Sequence, residues 1–180
     1  MPLLPKEQDI LPETIFELTD PWRVAHVRSR QEKVLARHLA ARKVAFFLPQ
    51  TEKTVTRAGR RRTSYAPLFP GYVFFRGDAA ARQTALRSNV VASLIEVENQ
   101  PLLNEELRQI RRLQLAGASL VPIEELMAGD AVRITEGVFA GYHGTVIRGG
   151  RADRLLVSVS LLRQAVAVEF PQQRLRRLRL

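Results

Sequence analysis

The chain has 180 residues, which allows one domain or two small ones, and its 46% hydrophobic content supports a packed core. It contains no cysteine, which excludes disulfides, thiol catalysis and cysteine metal sites and fits a cytoplasmic protein. The net charge is +10, and residues 22–62 carry twelve Lys and Arg residues against two acids. So strong a local excess of positive charge indicates a polyanionic partner for the N-terminal half.

The N-terminus resembles neither a signal peptide nor a membrane anchor, because it lacks a basic leader and an apolar core. Residues 1–20 hold three prolines and mixed charges, which predicts a flexible or loosely docked tail. After it, WRVAHVR (22–28) alternates as a strand does. Ser29 and Glu32 form the S-x-x-E pattern of a capping box, which predicts a helix from there to about Arg42.

The middle of the chain predicts a compact α+β arrangement. We expect a strand over 44–51, a basic hairpin with its tip at Ala58-Gly59, and a return arm from Tyr65 to Arg76. Asp78 can cap a helix that runs to about Arg87, and a strand follows over 90–97. Asn104 can cap a further helix that stops near Gly117. Residues 22–116 therefore predict the order β-α-β-β-α-β-α.

The C-terminal part has a different residue pattern, without a helical period. Residues 117–127 are interpreted as a linker, and 128–180 consist of short β-branched runs between glycine-rich turns. This pattern predicts a small barrel of about five strands. Gly137, Gly141 and Gly144 fall at strand ends, where a turn needs positive φ or a neighbouring backbone needs room.

Three motifs, in this order, resemble the NusG family of transcription elongation factors. They are W-x-V at 22–24 before the helix, the basic hairpin leading into F-P-G-Y-V at 69–73, and G-D-x-V-x-I-x-E-G-x-F-A-G-x-x-G at 129–144, which is similar to a KOW motif. The resemblance implies an NGN-like polymerase-binding domain over 21–116, an antiparallel sheet flanked by helices, and a five-stranded SH3-like KOW barrel over 128–180. The first helix is more similar to specialised RfaH-like paralogues, which favours an operon-specific antiterminator over a general factor.

The F-P-G-Y-V strand has two apolar faces. Its alternation places Tyr72 and Phe74 on one side and Val73 and Phe75 on the other. From the residues alone, an ordinary core explains them. The resemblance implies instead that Tyr72 and Phe74 line a cavity for the clamp helices of bacterial RNA polymerase. The full set of polymerase-binding residues that it implies is Tyr72, Phe74, Phe69, Leu107 and Ile110.

The basic residues form two groups, and solvated surface charge is the alternative for both. The hairpin arginines can follow phosphates without reading sequence. The second group is implied, by the resemblance, to face the non-template DNA strand of the transcription bubble. The hairpin group is Arg57, Arg60, Arg61 and Arg62, and the second group is Arg28, Arg30 and Gln31, joined by Arg87 and Ser88.

The resemblance implies that the barrel recruits a partner, either the ribosomal small subunit or the termination factor Rho. Its candidate contacts are Phe139, Tyr142, Leu161 and Leu162. One of the two aromatic residues is expected to pack inward and the other to face a partner. Leu162-Arg163 stand where general NusG proteins have an aromatic followed by glycine, which weakens the case for Rho more than that for the ribosome.

No enzymatic motif is present in the sequence. His26, His38 and His143 are far apart and match no metal-ligand or Ser/His/Asp spacing, so we expect no catalytic residue, metal or cofactor. The expectation is a monomeric regulator of transcription. The rival hypothesis is an RNA-binding or ribosome-associated KOW protein with its basic hairpin on ribosomal RNA.

Overall fold

The structure, a computed structural model, describes residues 8–57, 59–123, 130–134, 140–147 and 153–170. The chain divides into two compact units, Met1–Gln100 and Pro101–Leu180. Both contain antiparallel sheets, and the described helices complete the α+β class that the sequence predicts. The description is limited to the backbone at Val55, Arg57, Arg60, Arg62, Asp130, Ala131, Val132, Asp153 and Phe170.

The first unit is built on a five-stranded antiparallel sheet and a separate two-stranded ribbon. Its elements are β1 (Ile10–Leu11), β2 (Trp22–Val27), α1 (Glu32–Ala41), β3 (Phe46–Phe47), β4 (Gln50–Arg57), β5 (Arg60–Pro67), β6 (Tyr72–Arg76), α2 (Ala79–Leu86) and β7 (Val91–Ile95). The sheet has the order β1-β3-β6-β2-β7, and β4 pairs with β5 to form the ribbon.

The two faces of this sheet are set by the alternation of β2 and β6. Val73 and Phe75 of β6 point into a core that contains Ala25 of β2 and Leu35 of α1. Phe74, between them in sequence, packs on the opposite face. The predicted division of Tyr72 and Phe74 from Val73 and Phe75 is therefore confirmed. Each fully buried Phe of this kind stabilises the fold by roughly 1.5–3 kcal/mol relative to an exposed one.

The segment before β2 is part of this unit. Ile10 pairs with Phe47, so β1 extends the sheet at its edge. Ile15 and Phe16 are buried, and Phe16 contacts both Phe47, at 5.5 Å between ring centroids, and Trp22, at 5.9 Å. The expectation of a flexible or loosely docked tail does not hold over residues 10–17, because these apolar side chains cover the sheet. Residues 1–7 of that predicted tail lie outside the described residues.

The helix starts match the sequence prediction only in part. Asp78 caps α2 as predicted, because its Oδ1 accepts from the N–H groups of Ala80 (2.9 Å) and Ala81 (3.1 Å). The capping box predicted for α1 is wrong. Gln31 is the N-cap residue without a side-chain bond, and Glu32 is committed to a bond outside the helix, described below.

The second unit contains most of helix α3 and a second antiparallel sheet. Its elements are α3 (Gln100–Leu115), β8 (Leu120–Ile123), β9 (Asp130–Arg133), β10 (His143–Ile147), β11 (Asp153–Val159) and β12 (Gln164–Phe170). The strand order is β8-β12-β11-β10-β9, which is compatible with the predicted five-stranded SH3-like fold. Leu156, Ala165 and Ala167 form part of its core.

Two boundaries differ from those predicted. Helix α3 begins at Gln100 rather than at Asn104, and its residues from Pro101 onward group with the C-terminal sheet by their contacts. Residues 120–123, predicted as linker, form β8, which pairs with β12 through the register Leu120↔Val168. The rest of the predicted linker, 124–127, lies outside the described residues.

Candidate functional site

The turn before β6 is fixed on two sides. Gly71 has φ +88°, which favours glycine, and its carbonyl accepts from the Val27 N–H at 2.8 Å. Its own N–H donates to Oε1 of Glu32 at 2.7 Å. The Tyr72 N–H donates to the Phe69 carbonyl at 3.1 Å, which closes the turn. The position at which the chain enters β6 is thus set by both β2 and α1.

Tyr72 forms an accessible aromatic pair with His26, its direct neighbour on β2. Tyr72 is half-buried and His26 is exposed, and their ring centroids lie 5.2 Å apart with the planes inclined at 33°. Beneath this surface Phe74 is fully buried and meets Phe69 edge to face at 5.9 Å. We call His26 and Tyr72 the aromatic pair.

Four of the five predicted polymerase-binding residues are buried in the structure, and only Tyr72 is partly accessible. Phe74 and Phe69 are buried in the first unit, and Leu107 and Ile110 are buried residues of α3 in the second unit. His26 is exposed, although it alternates along β2 with the buried Trp22 and Val24. Its imidazole was the available signal, because histidine is less often fully buried than the aliphatic residues around it.

The second predicted basic group assembles at one corner of the first unit. The Arg28 N–H donates to the Val90 carbonyl at 2.9 Å, which brings the loop after β2 beside the loop after α2. Arg28, Arg30 and Arg87 are exposed, and Gln31 and Ser88 are half-buried. We call these five residues the basic corner. The structure thus brings together the two loops that the family resemblance implies are neighbours.

The backbone at this corner includes an unusual conformation. Arg30 has φ +60°, a left-handed value that costs a non-glycine residue about 1–2 kcal/mol. The Ser88 hydroxyl donates to the Ala85 carbonyl at 2.6 Å, so this side chain ends α2.

The ribbon confirms a basic hairpin, but the strand predicted over 44–51 is divided between β3 and β4, and the predicted return arm from Tyr65 to Arg76 is divided between β5 and β6. The β4–β5 pairing runs from Gln50↔Pro67 to Arg57↔Arg60. Since alternate residues of a strand lie on opposite faces, this register assigns Arg57, Arg60 and Arg62 to one face and Arg61 to the other. Arg61 is exposed. The four hairpin arginines are therefore divided three to one.

In the second unit, α3 is tied to the turn that follows β11. Both carboxylate oxygens of Glu106 accept from the Ser160 N–H (3.1 and 3.2 Å), and the Ser160 hydroxyl donates to Oε1 at 2.5 Å. Burial raises the pKa of Glu106, and the bonds from Ser160 lower it by less. One turn of helix further along, Gln109 Oε1 accepts from the His143 N–H at 2.9 Å. These contacts explain why α3 groups with this sheet.

The predicted partner-binding residues of this unit differ in accessibility. Leu161 and Leu162 are half-buried in a short 3-10 turn, Ser160–Leu162. Tyr142 is only 6% exposed, and burial raises the pKa of its phenol while the Arg112 cation lowers it. Tyr142 is thus the aromatic that packs inward, and Phe139 lies outside the described residues.

No group of three His, Asp or Glu side chains in the described ranges is arranged to hold a metal ion. Among the same residues, no helix combines the length and apolarity needed to cross a bilayer.

Comparison with known proteins gives the family. The family model described as "Transcription termination factor nusG" matches residues 20–114. The chain belongs to the NusG family. This is a family of non-enzymatic transcription factors.

Curated NusG relatives and one solved NusG structure agree with this assignment. The NusG protein of Vibrio parahaemolyticus is 32% identical over 131 residues, covering 69% of this chain and 72% of the relative. Escherichia coli K12 NusG is 31% identical with the same coverage. The structure titled "Domain interaction in Thermotoga maritima NusG" matches 89% of this chain and 98% of that chain, with TM-score 0.52 and 19% identity, and supports the fold.

Proposed function

We propose that this NusG-family chain regulates transcription elongation by binding bacterial RNA polymerase through the aromatic pair. The observation that carries the proposal is the accessible His26–Tyr72 pair on the sheet, with the buried Phe74 and Phe69 beneath it. An aromatic side chain with a polar tip is a common anchor at protein interfaces. The proposed partner is the polymerase clamp, and the relatives named "Transcription termination/antitermination protein NusG" support a role in transcription.

Binding of this kind changes transcription by selecting one state of the polymerase. A ligand shifts a conformational equilibrium only by its difference in affinity for the two states. The chain would favour the closed clamp over the open, paused clamp and so reduce pausing or termination. No chemical step by the protein is needed for this effect.

The basic corner and the ribbon supply the nucleic-acid contacts in this proposal. The exposed Arg28, Arg30 and Arg87 carry charge at the corner, beside Gln31 and Ser88, and the non-template strand is their partner. The ribbon contributes a face with Arg57, Arg60 and Arg62 that follows a phosphate backbone. Phosphate contacts of this kind position the protein without specifying sequence.

The second unit is proposed to bind a second macromolecular partner through the half-buried Leu161 and Leu162. The ribosomal small subunit and Rho are the two candidates. Arg163, exposed and at φ +54°, occupies the left-handed position after the 3-10 turn, where glycine is otherwise favoured. The positive charge of Arg163 at this position favours the ribosomal small subunit over Rho as the partner.

A pausing assay on several unrelated templates tests the proposal. The wild-type chain is expected to co-purify with core RNA polymerase and to shorten pauses, and Tyr72→Ala is expected to lose both effects. Shorter pauses on every template would indicate a general factor, whereas an effect confined to one promoter-proximal sequence would indicate an operon-specific antiterminator. Tight, salt-sensitive RNA binding that Tyr72→Ala leaves intact, without polymerase binding, would overturn the proposal in favour of the RNA-binding rival.

The ribbon is tested separately by the salt dependence of DNA binding. Replacing Arg57, Arg60 and Arg62 by Gln is expected to reduce the slope of log K against log[salt] by roughly 2–3, because about 0.7–0.9 counterions are released per phosphate contact. Arg61→Gln is the matched control on the opposite face and is expected to change the slope by less than about 0.3, well below the roughly 0.7–0.9 of one phosphate contact. Equal changes per arginine on both faces would contradict this assignment.

A further inference from the structure

Glu32 is a buried acid in an unusual position. It is the first residue of α1 but only 7% exposed, and burial of a carboxylate is costly unless its hydrogen bonds are satisfied. An acid in the first turn of a helix ordinarily interacts with the N–H groups of its own helix. Here Oε1 accepts instead from the Gly71 N–H, 39 residues away in sequence.

This bond acts on the turn that carries Tyr72. Gly71 is confined between α1 and β2: its N–H donates to Glu32, its carbonyl accepts from the Val27 N–H, and the His26 ring lies on the side where a Cβ would project. A Cβ at Gly71 would lie 3.4 Å from Cδ2 and 3.5 Å from Nε2 of His26. Both members of the aromatic pair therefore adjoin the residue that Glu32 binds. The His26 ring lies beside Gly71, and Tyr72 directly follows Gly71 in sequence.

We propose that Glu32 is a positioning residue for polymerase binding, because its carboxylate fixes the Gly71 turn and with it the orientation of the aromatic pair. The inference rests on the proposed role of Tyr72 and adds a residue that does not itself touch the partner. Glu32 also directly follows Arg30 and Gln31 of the basic corner. One side chain thereby ties the nucleic-acid-facing loop to the polymerase-facing turn.

Two conservative variants separate positioning from charge. Glu32→Asp keeps the negative charge at the start of α1 but withdraws the acceptor by one methylene, so it no longer reaches the Gly71 N–H. Glu32→Gln keeps the reach and an amide oxygen acceptor but removes the charge. If Glu32 positions the turn, Glu32→Asp weakens binding to core RNA polymerase by about tenfold, whereas Glu32→Gln stays within about threefold of wild type.

Asp78→Ala provides the control for general loss of stability. It removes the cap of α2 and is expected to lower the urea midpoint of unfolding while leaving polymerase affinity unchanged. Folding of every variant is checked by the fluorescence of Trp22, the one tryptophan of the chain and a buried residue of β2. The Gly71 amide proton resonance reports directly whether the bond to residue 32 is present.

A double-mutant comparison decides how Glu32 acts. In a Tyr72→Ala background, Glu32→Asp is expected to cause no further loss of affinity, because the group that it positions is gone. A full additional tenfold loss there would overturn the proposal, as would an unchanged affinity for Glu32→Asp with the Gly71 resonance shifted. If Glu32→Gln weakens polymerase binding and Glu32→Asp does not, the charge of Glu32 rather than its hydrogen bond to Gly71 determines the affinity, and the proposal is overturned. If Tyr72→Ala itself binds as wild type does, the proposed polymerase-binding surface has failed, and the Glu32 proposal with it.

Discussion

Gly144→Ala should selectively disrupt the second sheet, because no room exists for a side chain at this position of β10. A Cβ built on Gly144 would lie 2.1 Å from the Leu156 carbonyl oxygen and 3.1 Å from Cδ1 of Leu155. The first contact is with backbone, so no side-chain rotation can relieve it. Strands β10 and β11 must separate by about 1 Å to restore an ordinary van der Waals distance.

The expected cost follows from this overlap. Overpacking costs about 1–3 kcal/mol, and each ladder hydrogen bond lost between β10 and β11 adds about 1 kcal/mol. We expect a loss of about 3 kcal/mol in the second unit, which at 4–8 °C per kcal/mol lowers its Tm by roughly 12–24 °C. Gly141→Ala is the matched control, since it has φ +90° but nothing within 4 Å, and should cost only about 1–2 kcal/mol.

Amide hydrogen exchange distinguishes the two variants. Protection of β10 and β11 should fall much further in Gly144→Ala than in Gly141→Ala, and Trp22 fluorescence reports the first unit in the same samples. Equal protection in the two variants would refute the argument, because it would show that the close backbone approach at Gly144 carries no cost.

Two other predictions concern a buried acid and two left-handed residues. Because burial raises the pKa of Glu106, its contribution to stability is present below the ordinary value of 4.5 and is lost as pH rises through the folded-state pKa. Glu106→Gln, which can still accept from Ser160, should therefore raise the urea midpoint at pH 7 but not at pH 4; a lower midpoint at pH 7 would contradict the burial argument. Arg30 and Lys43, at φ +60° and +57°, should each gain up to about 1 kcal/mol of stability on replacement by glycine. Only Arg30→Gly should weaken binding to the non-template strand, and an equal loss with Lys43→Gly would count against the basic corner.

Local sequence patterns predicted the elements whose stabilising contacts are local. Asp78 caps α2 through N–H groups two and three residues away, and the alternation of residues 72–75 needs only the geometry of one strand. The ribbon pairs in register from Gln50↔Pro67 to Arg57↔Arg60. These features were confirmed because no distant partner competes for the residues that form them.

The failures arose where a distant residue overrides a local pattern. Ser29-x-x-Glu32 is a capping-box sequence, but Glu32 binds Gly71 instead. Helix α3 begins at Gln100 because that side chain accepts from the Trp22 N–H (2.6 Å) and donates to the Trp22 carbonyl (3.0 Å), 78 residues away. A proline just inside a helix start is a common signal, so Pro101 could have indicated this boundary.

The position of the accessible surface was also beyond the sequence. The alternation identified the strand face that carries Tyr72 and Phe74, but only the packing shows that Phe74 is fully buried whereas Tyr72 stays half-exposed beside His26. Burial depends on which segments cover a face, and residues 10–17, which include β1 and the buried Ile15 and Phe16, were expected to be loose chain. The candidate site therefore moved from a row of apolar side chains to a single exposed pair.

The most direct measurement is the equilibrium affinity of the folded chain for core bacterial RNA polymerase, in wild type, Tyr72→Ala and Tyr65→Ala. Tyr65 is a half-buried tyrosine on the ribbon and controls for loss of a similar side chain elsewhere. Tyr72→Ala should bind about 30-fold more weakly, as expected for an interface residue worth about 2 kcal/mol, and Tyr65→Ala should stay within about threefold of wild type. Wild-type affinity in folded Tyr72→Ala would contradict the claim that this surface binds the polymerase.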